Sequence, residues 1–214
     1  MRSIVTVTVP NAESALTTLA RVKLELDILT GNTANDEILE LKIDEASSDI
    51  EAALGFHVPR ETVAETFWHD GLITSPPSLV LNRTPIASIT SVVVDDVTYA
   101  SSLYRYDAGT GELFALDSSG FPTFWCFCKS VVVTYAGGYI LPAESNSDLP
   151  DGIQGACVDL VQCYWYWKGR DPTVKSEAAP GVMTYEYWVG AVGEAGELPP
   201  NVVMRLAPYR RVQV

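Results

Sequence analysis

The sequence predicts an α+β protein with a helical bundle core, an inserted small antiparallel β unit and extended terminal arms. Apolar residues recur at steps of four and three over 39–53 and 153–167, as they do along one face of a helix. Between about 60 and 140, short β-branched runs alternate with Gly, Pro and Asn, as they do in β-hairpins. Residues 1–16 and 198–214 lie outside these blocks, so we expect one domain with an arm at each end.

The composition is that of a folded and acidic chain. The 214 residues are 47% hydrophobic and 19% charged, with a net charge of −13, and this balance is typical of globular proteins. The acidity argues against a protein that holds nucleic acid by neutralising its phosphates. No apolar run approaches the roughly 20 residues that cross a bilayer, and four cysteines are too few for a disulfide scaffold. We therefore expect that the protein does not contact a membrane. We also expect that it is synthesised in a reducing compartment.

The N-terminal quarter is predicted to hold an extended segment and a helical hairpin. Thr alternates with Ile and Val over 3–9, which indicates an arm or an edge strand that Pro10 ends. The helical hairpin is predicted over 17–55, with Thr17 or Thr18 as its first N-cap.

The second helix of this hairpin has the clearest pattern in the sequence. Asn35 is its predicted N-cap and Gly55 its C-terminal stop. Its apolar stripe faces a core, whereas its outer face is acidic and carries Lys42 as its one base. The predicted acidic surface consists of Asp36, Glu37, Glu40, Asp44, Glu45, Asp49 and Glu51. Such a face is typical of a solvated helix that sets the surface field.

Residues 60–140 are predicted to form the β unit. Its strands are predicted at about 63–68, 78–82, 88–94, 97–99, 103–106, 112–116 and 130–135. Asp95 and Asp96 separate two valine-rich runs, so we expect a tight hairpin there, although the Gly that favours such a turn is missing.

A long helix is predicted over 148–168. Asp148 or Leu149 is the expected N-cap, and Pro150 suits the first turn because its missing N–H costs nothing there. A helix that is apolar over much of its girth lies at the centre of a core or is shared with a neighbouring subunit. A second apolar stripe beside the main one is therefore predicted to lie at a subunit interface: Val158, Val161 and Trp165.

The C-terminal part is predicted as a loop at 169–181, a strand at 182–189, a Gly/Ala/Glu linker at 190–197 and a tail at 198–214. The tail holds a helix of about two turns, which is too short to be stable alone in water and therefore needs a partner surface. Its apolar, aromatic and basic side chains are the predicted docking residues: Leu198, Val202, Val203, Arg205, Leu206, Tyr209, Arg210 and Arg211. The alternative is that this helix folds back on its own subunit.

The sequence holds no recognisable catalytic or metal-binding pattern. His57 and His69 have no nucleophile or second ligand at motif spacing. Cys157 and Cys163 lie six apart on a helix, so they cannot both face one metal ion. We therefore expect no enzyme activity, no metal and no cofactor, with the cysteines as reduced thiols.

Several segments together resemble a known family. They are Thr18–Lys23, Asn35–Leu39, Ala46–Gly55, Arg83–Ile89, Val132–Tyr139, Leu149–Asp151, Leu198–Pro200 and Pro208–Arg211. Their order and spacing are similar to those of the head–tail connector, or adaptor, proteins of tailed phages, prophages and gene-transfer particles. The resemblance covers nearly the whole chain from about residue 15.

The resemblance implies a structural role in a virion. Proteins of this family form a ring, twelvefold when assembled, under the portal protein, where they extend the DNA channel and receive a stopper or tail-terminator protein. Their C-terminal segment reaches the portal, which assigns the tail at 198–214 a partner. The expected location is the head–tail interface, with assembly in the host cytoplasm. An acidic channel repels the duplex, so DNA is expected to pass during genome ejection without specific binding.

Two other functions remain open from the sequence. A virion-associated peptidoglycan hydrolase would use a pair of the many carboxylates. An acidic binding module, such as a DNA mimic, would act on a host factor and would be absent from purified particles.

Overall fold

The computed structural model describes residues 2–68, 76–126, 129–168 and 198–210, together with the backbone of 176–179 and 183–186. The chain divides into two compact units. The β unit is formed by Met1–Glu13 and Phe56–Ile140, and the helical unit by Ser14–Gly55 and Leu141–Val214.

In its described residues, the β unit contains two antiparallel sheets. Its strands are β1 (Arg2–Val9), β2 (Glu61–Trp68), β3 (Ser78–Val80), β4 (Ile86–Val94), β5 (Val97–Tyr99), β6 (Tyr104–Tyr106), β7 (Glu112–Leu116), β8 (Pro122–Thr123) and β9 (Val131–Gly137). The first sheet has the order β1-β2-β9-β4-β5, and the second has the order β3-β7-β6, with β8 also pairing with β7. A short 3₁₀ helix, Ser101–Leu103, precedes β6.

The predicted strands between 60 and 140 are confirmed, with bounds that differ by at most two residues. The one strand there that the pattern missed is β8, which is only two residues long. The N-terminal segment is the edge strand β1 and not a free arm, because it pairs antiparallel with β2 from Arg2 opposite Trp68 to Val9 opposite Thr62.

The predicted Asp95-Asp96 hairpin joins β4 to β5. Both residues adopt positive φ, 47° and 70°, which is the left-handed conformation that a tight hairpin turn requires and that Asp tolerates better than most residues. The Asp95 carboxylate accepts the backbone N–H groups of Lys129 at 2.7 Å and Ser130 at 3.1 Å. These contacts stabilise the turn without a glycine.

The core of the β unit surrounds a buried carboxylate. Inward residues of β2 alternate with half-exposed ones, and one inward residue is Glu65, which is fully buried among apolar side chains. Its oxygens accept hydrogen bonds from the Tyr135 hydroxyl at 2.8 Å and the Asn82 backbone N–H at 2.9 Å. The Tyr135 oxygen in turn accepts the Arg83 backbone N–H at 3.0 Å. A buried charge needs such partners, so this network holds the chain around 82–83 against the first sheet.

The described residues of the helical unit form four α-helices: α1 (Leu19–Glu25), α2 (Asp36–Leu54), α3 (Asp151–Trp167) and α4 (Pro200–Leu206), the last followed by the 3₁₀ helix Ala207–Tyr209. Helix α3 packs against each of the other three helices. Two short strands, β10 (Ser176–Ala179) and β11 (Met183–Glu186), pair antiparallel.

The strand predicted at 182–189 contains β11, but the loop predicted at 169–181 is wrong where β10 lies. The other residues of both segments, and the linker predicted at 190–197, lie outside the described residues.

The helix ends largely follow the predicted capping residues. Thr18 is the N-cap of α1, and its hydroxyl accepts the Arg21 N–H at 3.3 Å. Asn35 is the N-cap position of α2, although its side chain makes no capping hydrogen bond. Gly55 ends α2 in the left-handed conformation, with φ of 74°, which glycine adopts without a steric cost.

The predicted N-cap of α3 is wrong by one or two positions. Pro150 itself is the N-cap, and α3 begins at Asp151. The Pro150 carbonyl accepts the N–H groups of Ile153 at 3.0 Å and Gln154 at 3.2 Å. An N-cap residue contributes only its carbonyl to the helix, so the missing N–H of proline is no obstacle there.

We predict that Tyr135→Phe destabilises the protein by about 1–3 kcal/mol, because the buried Glu65 carboxylate and the Arg83 N–H each lose a hydrogen-bond partner. Denaturant unfolding measures this change. Tyr106→Phe is the matched control, since Tyr106 is 40% exposed and is expected to change stability by less than about 0.5 kcal/mol. Equal effects of the two substitutions would contradict a structural role for the network.

Candidate functional site

No catalytic or metal centre is visible in the described part of the chain. No group of three or more His, Cys, Asp or Glu side chains there is placed to hold a metal ion. His57 lies 3.3 Å from a Glu61 oxygen. Among the described residues, none of the helices is both long and apolar enough to cross a membrane. His69 and Cys128 lie outside those residues.

The thiols differ in their surroundings. Cys126 is exposed, Cys163 is half-buried and Cys157 is buried. Burial raises the pKa of Cys157 to about 12, an effect that a hydrogen bond from Ser47 only partly offsets. Burial, and secondly the Asp159 charge, raises the pKa of Cys163. Cys157 and Cys163 are therefore poor nucleophiles and poor metal ligands near neutral pH.

The C-terminal helix folds back on its own subunit. Helix α4 packs against α3, and Val202 and Leu206 of α4 are completely buried. The Arg205 guanidinium forms an ion pair with Asp159 of α3 at 2.8 Å, and the Asn201 amide donates to the same carboxylate at 3.3 Å. Of the two alternatives for this helix, folding back on its own subunit is therefore the one that the structure shows, because α3 supplies the apolar surface that α4 needs.

Two glycines of α3 make room for this contact. A Cβ atom at Gly152 would lie 2.7 Å from the Tyr209 hydroxyl oxygen, and one at Gly155 would collide with the Arg205 guanidinium. A larger residue at Gly152 or Gly155 would therefore require the end of the Tyr209 or Arg205 side chain to move away from α3.

The remaining predicted docking residues are divided between the contact with α3 and the surface. Leu198, Val203 and Tyr209 are half-buried. Arg210 is exposed, and Arg211 lies outside the described residues.

The predicted subunit interface on α3 is wrong for two of its three residues. Val158 is 5% exposed and Val161 is completely buried, so neither presents a free face to a neighbour. The extra apolar stripe is covered within the chain, because α1, α2 and α4 all pack on α3. Trp165, one turn further along, is only half-buried.

Trp165 belongs to an aromatic groove near the C-terminal end of α3. The groove has a volume of about 280 Å³ and is lined by Ile38, Lys42, Tyr164, Trp165, Trp167 and Lys168. The Lys42 ammonium lies 5.5 Å from the centre of the Tyr164 ring, and the Lys168 ammonium lies 5.0 Å from that of Trp165. Such cation–π contacts fix both ammonium groups beside apolar walls. The Lys42 ammonium is also paired with the Glu45 carboxylate at 2.6 Å, so the groove is mainly an apolar and aromatic surface.

Among the residues of this groove, only Trp165 was predicted from the sequence as a contact residue. Ile38 and Lys42 are four residues apart on α2, so they share a helix face, and that spacing was the available signal. The Tyr164 hydroxyl donates a hydrogen bond to Asp49. Burial, followed by this bond to Asp49, raises the pKa of Tyr164, so it remains a neutral donor.

Five of the seven acids predicted to form a surface on α2 are exposed. They are Glu37, Glu40, Asp44, Glu45 and Asp49. Asp36 is 24% exposed and forms an ion pair with the buried Lys23 at 2.5 Å, and Glu51 is half-buried. The exposed acids form a face of one sign on a chain that is already strongly acidic, so this face repels other polyanions.

Comparison with known proteins gives a fold and no sequence family. No family model matches the chain, and no curated protein matches it. Among solved structures, 99% of the chain superposes on 97% of a chain from the neck of an empty gene transfer agent particle computed with C6 symmetry, with a TM-score of 0.59 and 16% identity. With the same coverages, it superposes on a chain from the neck of a native particle computed with C12 symmetry (TM-score 0.57, 14% identity) and on one from the virion of a native particle (0.58, 15%).

The three matches show that this chain shares its fold with neck and virion chains of a gene transfer agent particle. At such low sequence identity they show the fold alone, and the shared fold extends along almost the full length of both chains. The structural neighbours are thus neck chains of a gene transfer agent particle, which is consistent with the resemblance to head–tail connectors that the sequence segments indicate.

We predict that Leu206→Ala destabilises the protein by about 2–5 kcal/mol, because it leaves a cavity between α4 and α3. Met204→Ala is the matched control on the same helix: Met204 is 76% exposed and its loss is expected to cost less than about 0.5 kcal/mol. Denaturant unfolding of both variants measures the difference.

A chain that ends at Glu197 is expected to unfold at a lower temperature than the full chain, because it lacks α4. Equal melting temperatures of the two chains would mean that α4 does not stabilise the helical unit.

We predict that Cys126 reacts with a thiol reagent at pH 8 much faster than Cys157, which is expected to react only after unfolding. The raised pKa of Cys157 keeps it protonated and its burial excludes the reagent. Mass spectrometry of peptides from a partially labelled sample assigns each site. Rapid labelling of Cys157 in the folded protein would show that the packing of α3 opens readily.

Proposed function

We propose that this chain is a structural virion protein that forms a ring between the portal and the tail or stopper, extends the DNA channel and joins head to tail. The observation that carries this proposal is the match, over almost the full length of both chains, to neck chains of a gene transfer agent particle. The fold alone does not assign a function. The sequence segments that resemble connector proteins supply a second and independent reason.

The proposed assembly is a closed ring of copies of this chain, a dodecamer in its assembled form. The matched neck structures were computed with C12 and C6 symmetry, which supports self-association in a ring. The proposed partners are the portal protein on one side and a stopper or tail-terminator protein on the other. The location is then the virion, at the head–tail interface, after assembly in the host cytoplasm.

The charge of the chain suits a channel through which DNA slides. Each copy contributes a net charge of −13, and α2 presents five exposed carboxylates without a run of basic residues. A ring of such copies repels phosphates, so the duplex passes during genome ejection without specific binding. The chain acts here as a structural component and has no catalytic task.

The portal-docking surface is smaller than the sequence predicts. Val202 and Leu206 are used in the contact with α3, so they are not available to a portal. The basic residues that follow the helix remain, and exposed Arg210 is the described one. We therefore place portal docking on the end of the tail, with charge attraction as its main contribution.

We predict that Arg210→Glu weakens binding of the chain to purified portal rings by about ten-fold or more, since it reverses a charge in the proposed contact. Arg105→Glu is the matched control, because Arg105 is also exposed but lies on β6. Pull-down at moderate salt measures binding, and electron microscopy of the wild-type mixture is expected to show a twelvefold ring on the portal.

Other results would reject this function. If the chain is absent from purified particles, the free acidic binding module is favoured. If the purified protein clears cell-wall substrate in a zymogram, the peptidoglycan hydrolase is favoured.

A further inference from the structure

The first sheet of the β unit ends in a strand whose outer edge is exposed. In the described part of the chain, β1 pairs only with β2. Three of its apolar side chains are exposed: Ile4 by 59%, Val9 by 60% and Val7 by 40%. An edge strand of eight residues with this character is a template for pairing with another strand.

Strand β1 lacks most of the features that keep edge strands from pairing. It holds no proline, lysine or acidic residue, and its only charge is Arg2 at one end. Its register is regular until a shift between Val7 and Val9. Natural edge strands are usually short, charged or interrupted, so a long neutral edge of β-branched residues indicates a partner strand.

The opposite edge of the same sheet offers a complementary stretch. Strand β5 pairs with β4 only over Val92–Val94. In the described residues, Ala87–Ser91 therefore has a strand on one side only, namely β9. This stretch is neutral, and Ala87, Ser88 and Thr90 are exposed. The Ile86 N–H is already bonded to the Ala108 carbonyl, which limits the free edge to the five residues after it.

The strand directions make these two edges compatible between copies. From β1 through β2 and β9 to β4, each neighbouring pair is antiparallel, so β1 and β4 run in opposite directions. A second copy that is related by rotation about an axis along the strands brings its β1 antiparallel to β4 of the first. Because the edges lie on opposite sides of one sheet, such contacts are head-to-tail and can close into a ring.

The register of β4 limits how far this pairing extends. It shifts between Ile86 and Ser88 and again between Ile89 and Ser91. Such irregularities bend an edge and restrict its pairing. The contact is therefore short, and whether the assembly closes depends on the rotation that it sets between neighbouring copies.

We propose that β1 of one copy adds to the Ala87–Ser91 edge of β4 in the next copy, so that intermolecular strand pairing joins neighbours in the ring. This inference rests on the proposed function, since it requires a ring of copies. The occupant is a second copy because one chain carries both complementary edges, on opposite sides of its sheet and with the correct directions.

Disulfide crosslinking tests the pairing directly. Thr6→Cys is combined with Ser88→Cys in a chain that also carries Cys126→Ser, Cys128→Ser and Cys163→Ser. Both substituted residues are exposed. Within one copy they are separated by three strand spacings, about 14 Å, which is too far for a disulfide. Oxidation of the assembled protein is therefore expected to give a ladder of covalent dimers, trimers and larger species, with Ile4→Cys in place of Thr6→Cys as a second register.

The controls are variants that carry only one of the two introduced cysteines in the same background, in which the buried Cys157 is retained. Each is expected to stay monomeric on denaturing gels. A covalent dimer from Thr6→Cys alone would mean that two β1 strands pair with each other, and a crosslink to another virion protein in particles would mean that β1 has a different partner. Either result overturns the proposal.

A charge on the edge provides a second test that does not depend on register. Ile4→Lys together with Val9→Lys is expected to weaken self-association by about ten-fold or more, with an unchanged melting temperature. Val80→Lys is the matched control, because Val80 is 58% exposed on β3 of the second sheet. The proposed pairing through β1 would be contradicted if Val80→Lys weakened self-association as much as the double variant does. It would also be contradicted if the double variant did not weaken self-association.

Mass photometry of the unmodified chain, alone and with the portal, separates this inference from the proposed function. If rings form but neither register gives a ladder, the strand pairing is wrong and the connector function stands. If no ring forms under either condition, the connector function fails and the strand pairing fails with it.

Discussion

The packing of the helical unit is set by α3, whose apolar residues face nearly every direction and must all be covered by neighbouring helices. Six residues of this helix are buried: Ile153, Ala156, Cys157, Val158, Leu160 and Val161. They occupy too much of its girth for one neighbouring helix to cover, so α1, α2 and α4 all pack on it. This requirement binds α4 to its own subunit. Near the C-terminal end of α3, by contrast, the aromatic residues remain partly exposed, and Tyr166 is 70% exposed.

Local patterns predicted the elements well because turn residues and periodicity act over a few positions. The strands from 63 to 135 and the ends of α2 followed from Gly, Pro, Asp and Asn at their boundaries. The position of α4 did not follow, because an apolar stripe shows that a face is covered without showing what covers it. Gly152 and Gly155, spaced by three on α3, were the signal for a closely packed neighbour.

Long-range pairing and buried polar groups also lay beyond the sequence. Strand β1 pairs with β2 across the whole of α1 and α2, a separation that no local pattern reports. Glu65 lies in a predicted strand, yet its complete burial depends on Tyr135 and Asn82 from distant parts of the chain. The aromatic groove likewise needs α2 beside α3 to bring Lys42 near Tyr164. A single sequence fixes none of these juxtapositions, because each is set by tertiary packing.

The order of elements along the chain has a consequence for synthesis on the ribosome. Strand β1 is translated well before two other strands of its sheet: β2 follows more than 50 residues later and β9 more than 120 later. The apolar face of α3 likewise waits for α4, which is translated after a further 30 or so residues. Neither unit can complete its core from an early fragment, and such high contact order slows folding. A chain that has not yet been translated through α4 therefore exposes apolar surface of the helical unit, which is the kind of surface that chaperones bind. Both cores can be complete only after α4 has been translated.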